Sequence, residues 1–126
     1  MTTDHQTIRD LFDDWNAALA SGDPDQVAAL YAEDAILLPT VANRVCTDRA
    51  AIKDYFYNKF MKMQPHGEIE ESHVRVYDNI AMHSGVYLFA LQTEGRSVRA
   101  RFTFVYRLDD GVWKIIEHHS SAMPEG

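Results

Sequence analysis

Apolar residues in the first third of the chain recur every three or four positions, the period of one helical face. The clearest set is Ile8, Leu11, Phe12, Trp15, Ala18 and Leu19. Thr3 and Gln6 have the spacing of a capping box, and Ser21-Gly22 supplies residue types that end helices. The pattern therefore predicts an amphipathic helix near the N-terminus.

Two further helices and one short strand follow. Asp23 as cap and Pro24 in the first turn predict a short helix that buries Val27, Leu30 and Tyr31. The apolar run 35–38, stopped by a proline, predicts a strand, and the irregular segment 40–47 predicts a loop that could line a site. A third helix is expected after Thr47 or Asp48, ending near Pro65 and Gly67. Its apolar residues at helical spacing are Ile52, Tyr55, Phe56, Phe60 and Met63.

The second half of the chain is rich in β-branched and aromatic residues. These form four runs, at 68–77, 80–93, 96–108 and 112–121, separated by short turn sequences. Strands with such tight connections pair as antiparallel neighbours. The sequence predicts an α+β fold in a single domain over residues 1–126, with a curved antiparallel sheet and three helices on its concave face.

The third long strand presents two different faces. Ala100, Phe102, Phe104 and Tyr106 alternate with polar or smaller residues, and the aromatic face should meet the helices. The other face would leave an apolar patch exposed, so we predict a homodimer through it; the alternative is cover by a loop or terminus. The predicted interface residues are Arg101, Thr103, Val105, Trp113, Ile115, Glu117, His119 and Ser121.

Composition narrows the range of partners. The chain carries 12 Lys and Arg against 19 Asp and Glu, a net charge of -7, which disfavours nucleic acid or an anionic membrane as partner. The N-terminal segment lacks the features of a signal peptide, and the single cysteine, Cys46, allows no internal disulfide, so we expect a cytoplasmic protein. No zinc spacing or Gly-rich phosphate loop occurs, so neither a metal nor another cofactor is expected.

Three segments together resemble a known family. They are LLPTVANRVCTD, ARFTFVYR and DGVWKIIEHHSSAMPE. With the order of elements, they are similar to the nuclear transport factor 2-like superfamily, its SgcJ/EcaC branch, and the association (hub) domain of calcium/calmodulin-dependent protein kinase II. The resemblance spans almost the whole chain, and Gly111, Trp113, His119, Ser121 and Pro124 match the ending of the hub domain.

The resemblance implies a cone-shaped pocket and subunits paired through the outer sheet face. It directs eight side chains inward: Trp15, Tyr31 and Phe56 from helices, and Tyr87, Phe104, Tyr106, His118 and Ser120 from strands. The hub domain binds anions through arginines, but Phe104 and Ser120 stand at two of those positions and Tyr87 near the third. Such an aromatic pocket suits a small, flat or apolar organic ligand held by one or two hydrogen bonds.

Few side chains in the sequence suggest chemistry. His118 and His119 are adjacent, so on a strand they point to opposite faces and at most one serves the pocket. Asp13 and Asp14 fall outside the apolar helical stripe, which favours a solvated acidic face. Cys46 has no evident activating base, which favours a buried structural role.

Arg44, Arg75, Arg99 and Arg101 are candidates for a basic cluster, but pairing with the excess acids explains them equally well.

We therefore carry three hypotheses: a homo-oligomeric small-molecule-binding domain, an association module, and a cofactor-free isomerase, cyclase or hydrolase acting in the same pocket. An oxidoreductase ranks last, because the chain has neither a dinucleotide fingerprint nor a redox cysteine pair.

Overall fold

The computed structural model describes residues 4–40 and 42–124 of the chain. Its helices are α1 (His5–Ala20), α2 (Pro24–Ala28) and α3 (Arg49–Tyr55), and α3 continues as a π-helical turn (Phe56–Phe60) and a 3-10 turn (Met61–Met63). Its strands are β1 (Tyr31–Leu38), β2 (Pro65–Tyr77), β3 (Ile80–Leu91), β4 (Arg96–Asp109) and β5 (Val112–Ala122). A second 3-10 turn, Gln92–Glu94, joins β3 to β4. The α+β architecture predicted from the sequence is confirmed.

Aspartate side chains begin all three helices. The Asp4 carboxylate accepts a 2.8 Å hydrogen bond from the backbone N–H of Thr7, so Asp4 is the N-cap of α1. The predicted cap Thr3 lies outside the described residues. Asp23 and Asp48 cap α2 and α3 in the same way, which confirms the predicted starts of both helices.

The sheet has the strand order β1-β5-β4-β3-β2. The four long strands form the predicted antiparallel meander, whereas β1 lies at the edge, parallel to β5. The prediction that α2 contains Tyr31 is wrong, because α2 ends at Ala28 and Tyr31 opens β1. Its ring is nevertheless buried, as expected.

A β-bulge in β5 changes which residues face outward. Val105 pairs with Glu117, but the next residue, Tyr106, pairs with Ile115. Two residues of one strand thus oppose one of the other, and the inward and outward alternation shifts. The prediction that put Trp113 and Ile115 on the outer face is therefore wrong. Ile115 is buried in the core, and Trp113 packs against the core from the end of the strand.

The helices cover the inner face of the sheet, where β4 contributes its predicted aromatic row. Phe102, Phe104 and Tyr106 are buried there. The rings of Phe12 and Trp15 from α1 pack edge-on against Phe104. Burial of such large rings is the main source of stability in a domain of this size. It also leaves limited free space inside the cone.

Candidate functional site

A cavity remains between the sheet and the helices, at the end of the cone where the π-helical turn approaches β3 and β4. It offers about 40 Å³ to the centres of water-sized molecules, which is room for about three waters. Its lining is mostly apolar: Trp15, Leu37, Pro39, Thr40, Tyr55, Phe56, Phe60, Tyr87, Phe89, Leu91, Val98, Ala100, His118 and Ser120. The π-helical turn is itself a feature that occurs often at functional sites.

Five of the eight predicted pocket residues line this cavity: Trp15, Phe56, Tyr87, His118 and Ser120. The other three lie behind its wall. Phe104 stacks on the His118 ring at 4.0 Å, and Tyr106 stacks in turn on Phe104 at 5.8 Å, further from the cavity. Phe56 packs against Tyr31 at 5.9 Å between ring centres. These three rings support the site without facing it.

Several lining residues were not singled out from the sequence as pocket residues. Tyr55 and Phe60 were predicted only as apolar positions of a helix, and Thr40 only as part of an irregular loop that could line a site. The π-helical turn rotates the residues after Tyr55 relative to a regular helix, so helical phase alone does not assign their faces. The irregular loop was the available signal for Thr40.

Polar side chains form one continuous hydrogen-bonded chain through this region, which we call the buried polar chain. The Trp15 Nε1–H donates to the Tyr31 hydroxyl at 3.1 Å, and that hydroxyl lies 2.9 Å from His118 Nδ1. On the other side of the imidazole, Nε2 lies 3.3 Å from the Tyr87 hydroxyl, which donates to Ser120 Oγ at 2.6 Å. The Thr40 hydroxyl contacts Ser120 Oγ at the end of the chain.

Burial sets the protonation of these groups. The low-dielectric surroundings, with a smaller effect from His119, lower the pKa of His118 to about 3. The same desolvation raises the pKa of the Tyr31 and Tyr87 hydroxyls above their usual range. At neutral pH the buried polar chain is therefore uncharged throughout.

The His118 imidazole is also fixed by its neighbours. Phe104 stacks on one face, and Trp15 meets the ring edge-on at 5.4 Å with an interplanar angle of 88°. Because both ring nitrogens have hydrogen-bond partners, rotation of the ring would break two bonds. The imidazole is a rigid, neutral part of the cavity wall.

The other candidate groups lie elsewhere. His119 is exposed while His118 is buried, so the two histidines do lie on opposite faces as predicted. Asp13 and Asp14 are exposed, as expected for a solvated face. Burial raises the pKa of the Cys46 thiol, which disfavours the nucleophilic thiolate.

Of the four arginines considered for a basic cluster, Arg44 pairs with Asp54 and Arg99 with Glu70, as the alternative of pairing with acids expects. Within residues 4–40 and 42–124, no three His, Cys, Asp or Glu side chains converge as metal ligands. The helices of that same part of the chain include none that is long and apolar enough to span a membrane.

Comparison with known proteins places this arrangement in a family. A structure from Xanthomonas campestris, assigned to the calcium/calmodulin-dependent protein kinase II association domain, is 48% identical over 99% of this chain and 91% of that chain, with a TM-score of 0.93. An NTF2-like protein with a cystatin-like fold from Novosphingobium aromaticivorans has a TM-score of 0.79 at 17% identity, over 98% of this chain and 84% of that chain.

A ketosteroid isomerase candidate from Parabacteroides distasonis has a TM-score of 0.72 at 23% identity, over 90% of this chain and 86% of that chain. The last two likenesses show the fold alone. No curated protein matches the chain significantly. The model of the calcium/calmodulin dependent protein kinase II association domain matches residues 4–124. This chain therefore belongs to the calcium/calmodulin-dependent protein kinase II association domain family and has the nuclear transport factor 2-like fold.

Proposed function

We propose that the protein is a homo-oligomeric domain that binds a small, uncharged organic molecule in the cavity beside Ser120. The observation that carries this proposal is the composition of the cavity wall. Aromatic and aliphatic side chains make up most of it, and hydroxyl groups converge at one end, at Thr40 and Ser120. Apolar walls with a few convergent polar groups are typical of small-molecule sites.

The size and charge of the cavity restrict the ligand. Room for about three waters corresponds to a liquid volume of about 90 Å³, well below the roughly 150 Å³ of a cavity that holds benzene, so a five-membered ring is at the upper size limit of the ligand. No lysine or arginine is among the lining residues that the structure describes. An anion would lose its hydration there without gaining an opposite charge, which is strongly unfavourable. A neutral ring is therefore a better fit than a carboxylate.

Binding is better supported than catalysis by His118. A general base must reach the proton that it removes, but both nitrogens of this imidazole already have partners in Tyr31 and Tyr87. A pKa near 3 also makes the ring a weak base at neutral pH. The cofactor-free enzyme remains the alternative for a reaction that uses the hydroxyl groups instead.

Ring probes at this upper size limit test the proposal directly. Titration of ¹⁵N-labelled protein with cyclopentanone and with methylenecyclopentane should shift the amide signals of residues around the cavity. Ala100→Val should abolish these shifts because it adds two methyl groups to the cavity wall. Ala90→Val on β3, outside this lining, is the matched control and should leave them unchanged. The proposal fails if neither ring shifts these signals in the wild type.

Self-association is the second candidate function, and the outer face of the sheet favours it. We call the six predicted residues that stay on this face after the β5 bulge the outer set: Arg101, Thr103, Val105, Glu117, His119 and Ser121. They pair directly across β4 and β5. Half-buried apolar side chains from neighbouring strands adjoin them, among them Ile36, Leu38, Met82 and Val86. The helices lie on the other face, so a second copy could cover this one.

A charge at the centre of this face tests association. Val105→Glu should convert a dimer or larger assembly to monomer, because the carboxylate would lose its hydration in the interface. Val112→Glu is the matched control, since Val112 is 51% exposed at a hairpin end. Sedimentation velocity measures both variants. A wild-type protein that sediments as a monomer at micromolar concentration would rule out this function.

A further inference from the structure

The buried polar chain begins at a group that can only donate. The indole Nε1–H of Trp15 has no lone pair available for accepting a hydrogen bond, so in its contact with Tyr31 the phenol oxygen must be the acceptor. Both residues are buried, with 1% and 0% of their surfaces exposed. One end of the chain therefore has a fixed hydrogen-bond direction.

That direction passes to the imidazole. With its oxygen accepting from Trp15, the Tyr31 hydroxyl has one hydrogen left to donate, and among the described residues the acceptor within reach is His118 Nδ1, at 2.9 Å. Nδ1 is then unprotonated, so a neutral ring carries its proton on Nε2 and donates it to Tyr87. The reverse tautomer would leave the buried Tyr31 hydrogen without an acceptor, which is unfavourable.

The same direction reaches the cavity. Tyr87 accepts from Nε2–H and so gives its own hydrogen to Ser120 Oγ, at 2.6 Å. Ser120 and Thr40 then share one hydrogen bond, and whichever of them donates in it, the other keeps a hydroxyl hydrogen that the chain does not use. Both residues line the cavity. The chain therefore ends in a hydrogen-bond donor facing the ligand space.

We propose that this fixed direction makes the cavity selective for neutral ligands that present a hydrogen-bond acceptor, such as a ketone carbonyl, to the Ser120–Thr40 hydroxyl pair. This inference rests on the small-molecule binding proposed above and specifies its ligand class. A group that only donates, such as a pyrrole N–H, could bond to a remaining lone pair of the hydroxyl pair, but it would leave the unused hydroxyl hydrogen without an acceptor. A ligand without polar atoms would leave that donor unpaired in an apolar space.

The internal direction is tested without any ligand. Long-range ¹H–¹⁵N correlation spectra of the imidazoles should show His118 as the neutral tautomer protonated on Nε2 at pH 7. Tyr31→Phe removes the hydroxyl that links Trp15 to Nδ1 and should allow the other tautomer to be populated. Protonation of His118 on Nδ1 in the wild type would overturn the inference.

Ligand selectivity is tested with two rings of the same shape. Cyclopentanone has a carbonyl oxygen where methylenecyclopentane has a CH₂ group. The dissociation constant of methylenecyclopentane divided by that of cyclopentanone therefore measures how much the acceptor contributes to binding. The double variant Ser120→Ala with Thr40→Val should reduce the preference for the ketone by about 2- to 10-fold. Ser97→Ala with Thr93→Val makes the same changes at two exposed residues outside both the cavity lining and the outer set, and should leave the ratio unchanged.

The outcomes separate the two proposals. An equal ratio in the wild type and the Ser120–Thr40 double variant would overturn acceptor selectivity while small-molecule binding stands. If neither ring binds the wild type, small-molecule binding itself is refuted, and the ligand class falls with it. A reduced ratio together with the Nε2 tautomer supports both.

Discussion

Two histidines are buried on the inner face of the sheet, and they differ in how completely they are hydrogen-bonded. His118 on β5 has a tyrosine hydroxyl at each ring nitrogen. His83 on β3 has only one partner, the Ser72 hydroxyl at 2.7 Å from Nε2, and its Nδ1 has no partner among the described residues. Both rings are almost fully buried, at 2% and 0% exposure.

The comparison shows that burial alone does not give a histidine a defined tautomer and orientation. An imidazole that is bonded on both sides has one tautomer and one orientation, and it passes that order to neighbouring groups. An imidazole with an unpaired buried nitrogen instead carries a cost of about 1–3 kcal/mol. The surroundings of His118 therefore fix its hydrogen bonds, as expected of a functional site, whereas those of His83 leave one buried nitrogen unpaired.

The largest effect is expected from Gly85, which sits opposite Ser72 in the strand pair beside His83. A Cβ atom there would lie 1.9 Å from the backbone oxygen of Glu71, at the irregularity in β2. Backbone cannot yield as a flexible side chain can, so β2 must move away. Gly85→Ala should lower the free energy of unfolding by on the order of 3 kcal/mol or more.

Urea unfolding measures this loss, with Ser84→Ala on the neighbouring, half-buried residue as control. A change below about 1 kcal/mol for Gly85→Ala would mean that the strand pair beside His83 is much more adaptable than its geometry indicates.

Removal of one hydroxyl next to His118 should have the next largest effect. Tyr31→Phe keeps the ring but leaves the Trp15 N–H and His118 Nδ1 without partners. The expected loss in unfolding free energy is at least about 2 kcal/mol, since each of the two unpaired buried groups costs at least about 1 kcal/mol. Tyr55→Phe removes a hydroxyl outside the buried polar chain and should cost less than about 1 kcal/mol. Equal losses in the two variants would contradict the special role of this chain.

Acid should destabilise the protein through both histidines. Burial lowers the pKa of His118 to about 3 and of His83 to about 4, whereas in the unfolded chain both keep a pKa near 6.5. Below pH 6.5 the unfolded state binds protons first, so stability falls as pH falls. Well below 6.5 each histidine contributes a slope of up to about 1.4 kcal/mol per pH unit, until its folded pKa is reached.

Urea unfolding between pH 6 and 4.5 measures this slope, because most carboxylates titrate below that range. His83→Leu removes one of the two histidines and should reduce the slope by up to about half. Stability that is independent of pH over this range would show that neither ring has a lowered pKa in the folded state, as expected for rings that reach solvent.

Much of the fold could be predicted because the patterns are local. Alternation along β4 places Phe102, Phe104 and Tyr106 on the buried face, and the aspartates before α2 and α3 mark the helix starts. The β5 bulge could not be predicted, since Ile115 and Ile116 are equally apolar and the period of two gives no sign of an extra residue. The error for Trp113 and Ile115 followed from that one residue.

The site was only partly predictable, for a different reason. Trp15, Tyr87 and Ser120 lie on regular elements whose inward phase follows from the pattern or the resemblance. The contacts that give the site its chemistry join residues far apart in the chain, such as Tyr31 with His118. No spacing in the sequence encodes such a pair, and none distinguishes His118 from the half-bonded His83.

The smallest effect is expected from replacing His83 itself. His83→Leu loses one hydrogen bond to Ser72 but also removes the unpaired Nδ1 from an apolar environment, where Phe102 packs edge-on at 5.1 Å. Since loss and gain are similar in size, the free energy of unfolding at pH 7 should change by less than about 1 kcal/mol. His118→Leu is the matched change at the fully bonded ring; it removes one hydrogen bond from each of the Tyr31 and Tyr87 hydroxyls and leaves the Tyr31 hydrogen without an acceptor. A cost for His83→Leu as large as that for His118→Leu would show that His83 has a second partner, such as a buried water on Nδ1. Both histidines would then be fully hydrogen-bonded, and the contrast between them would be wrong.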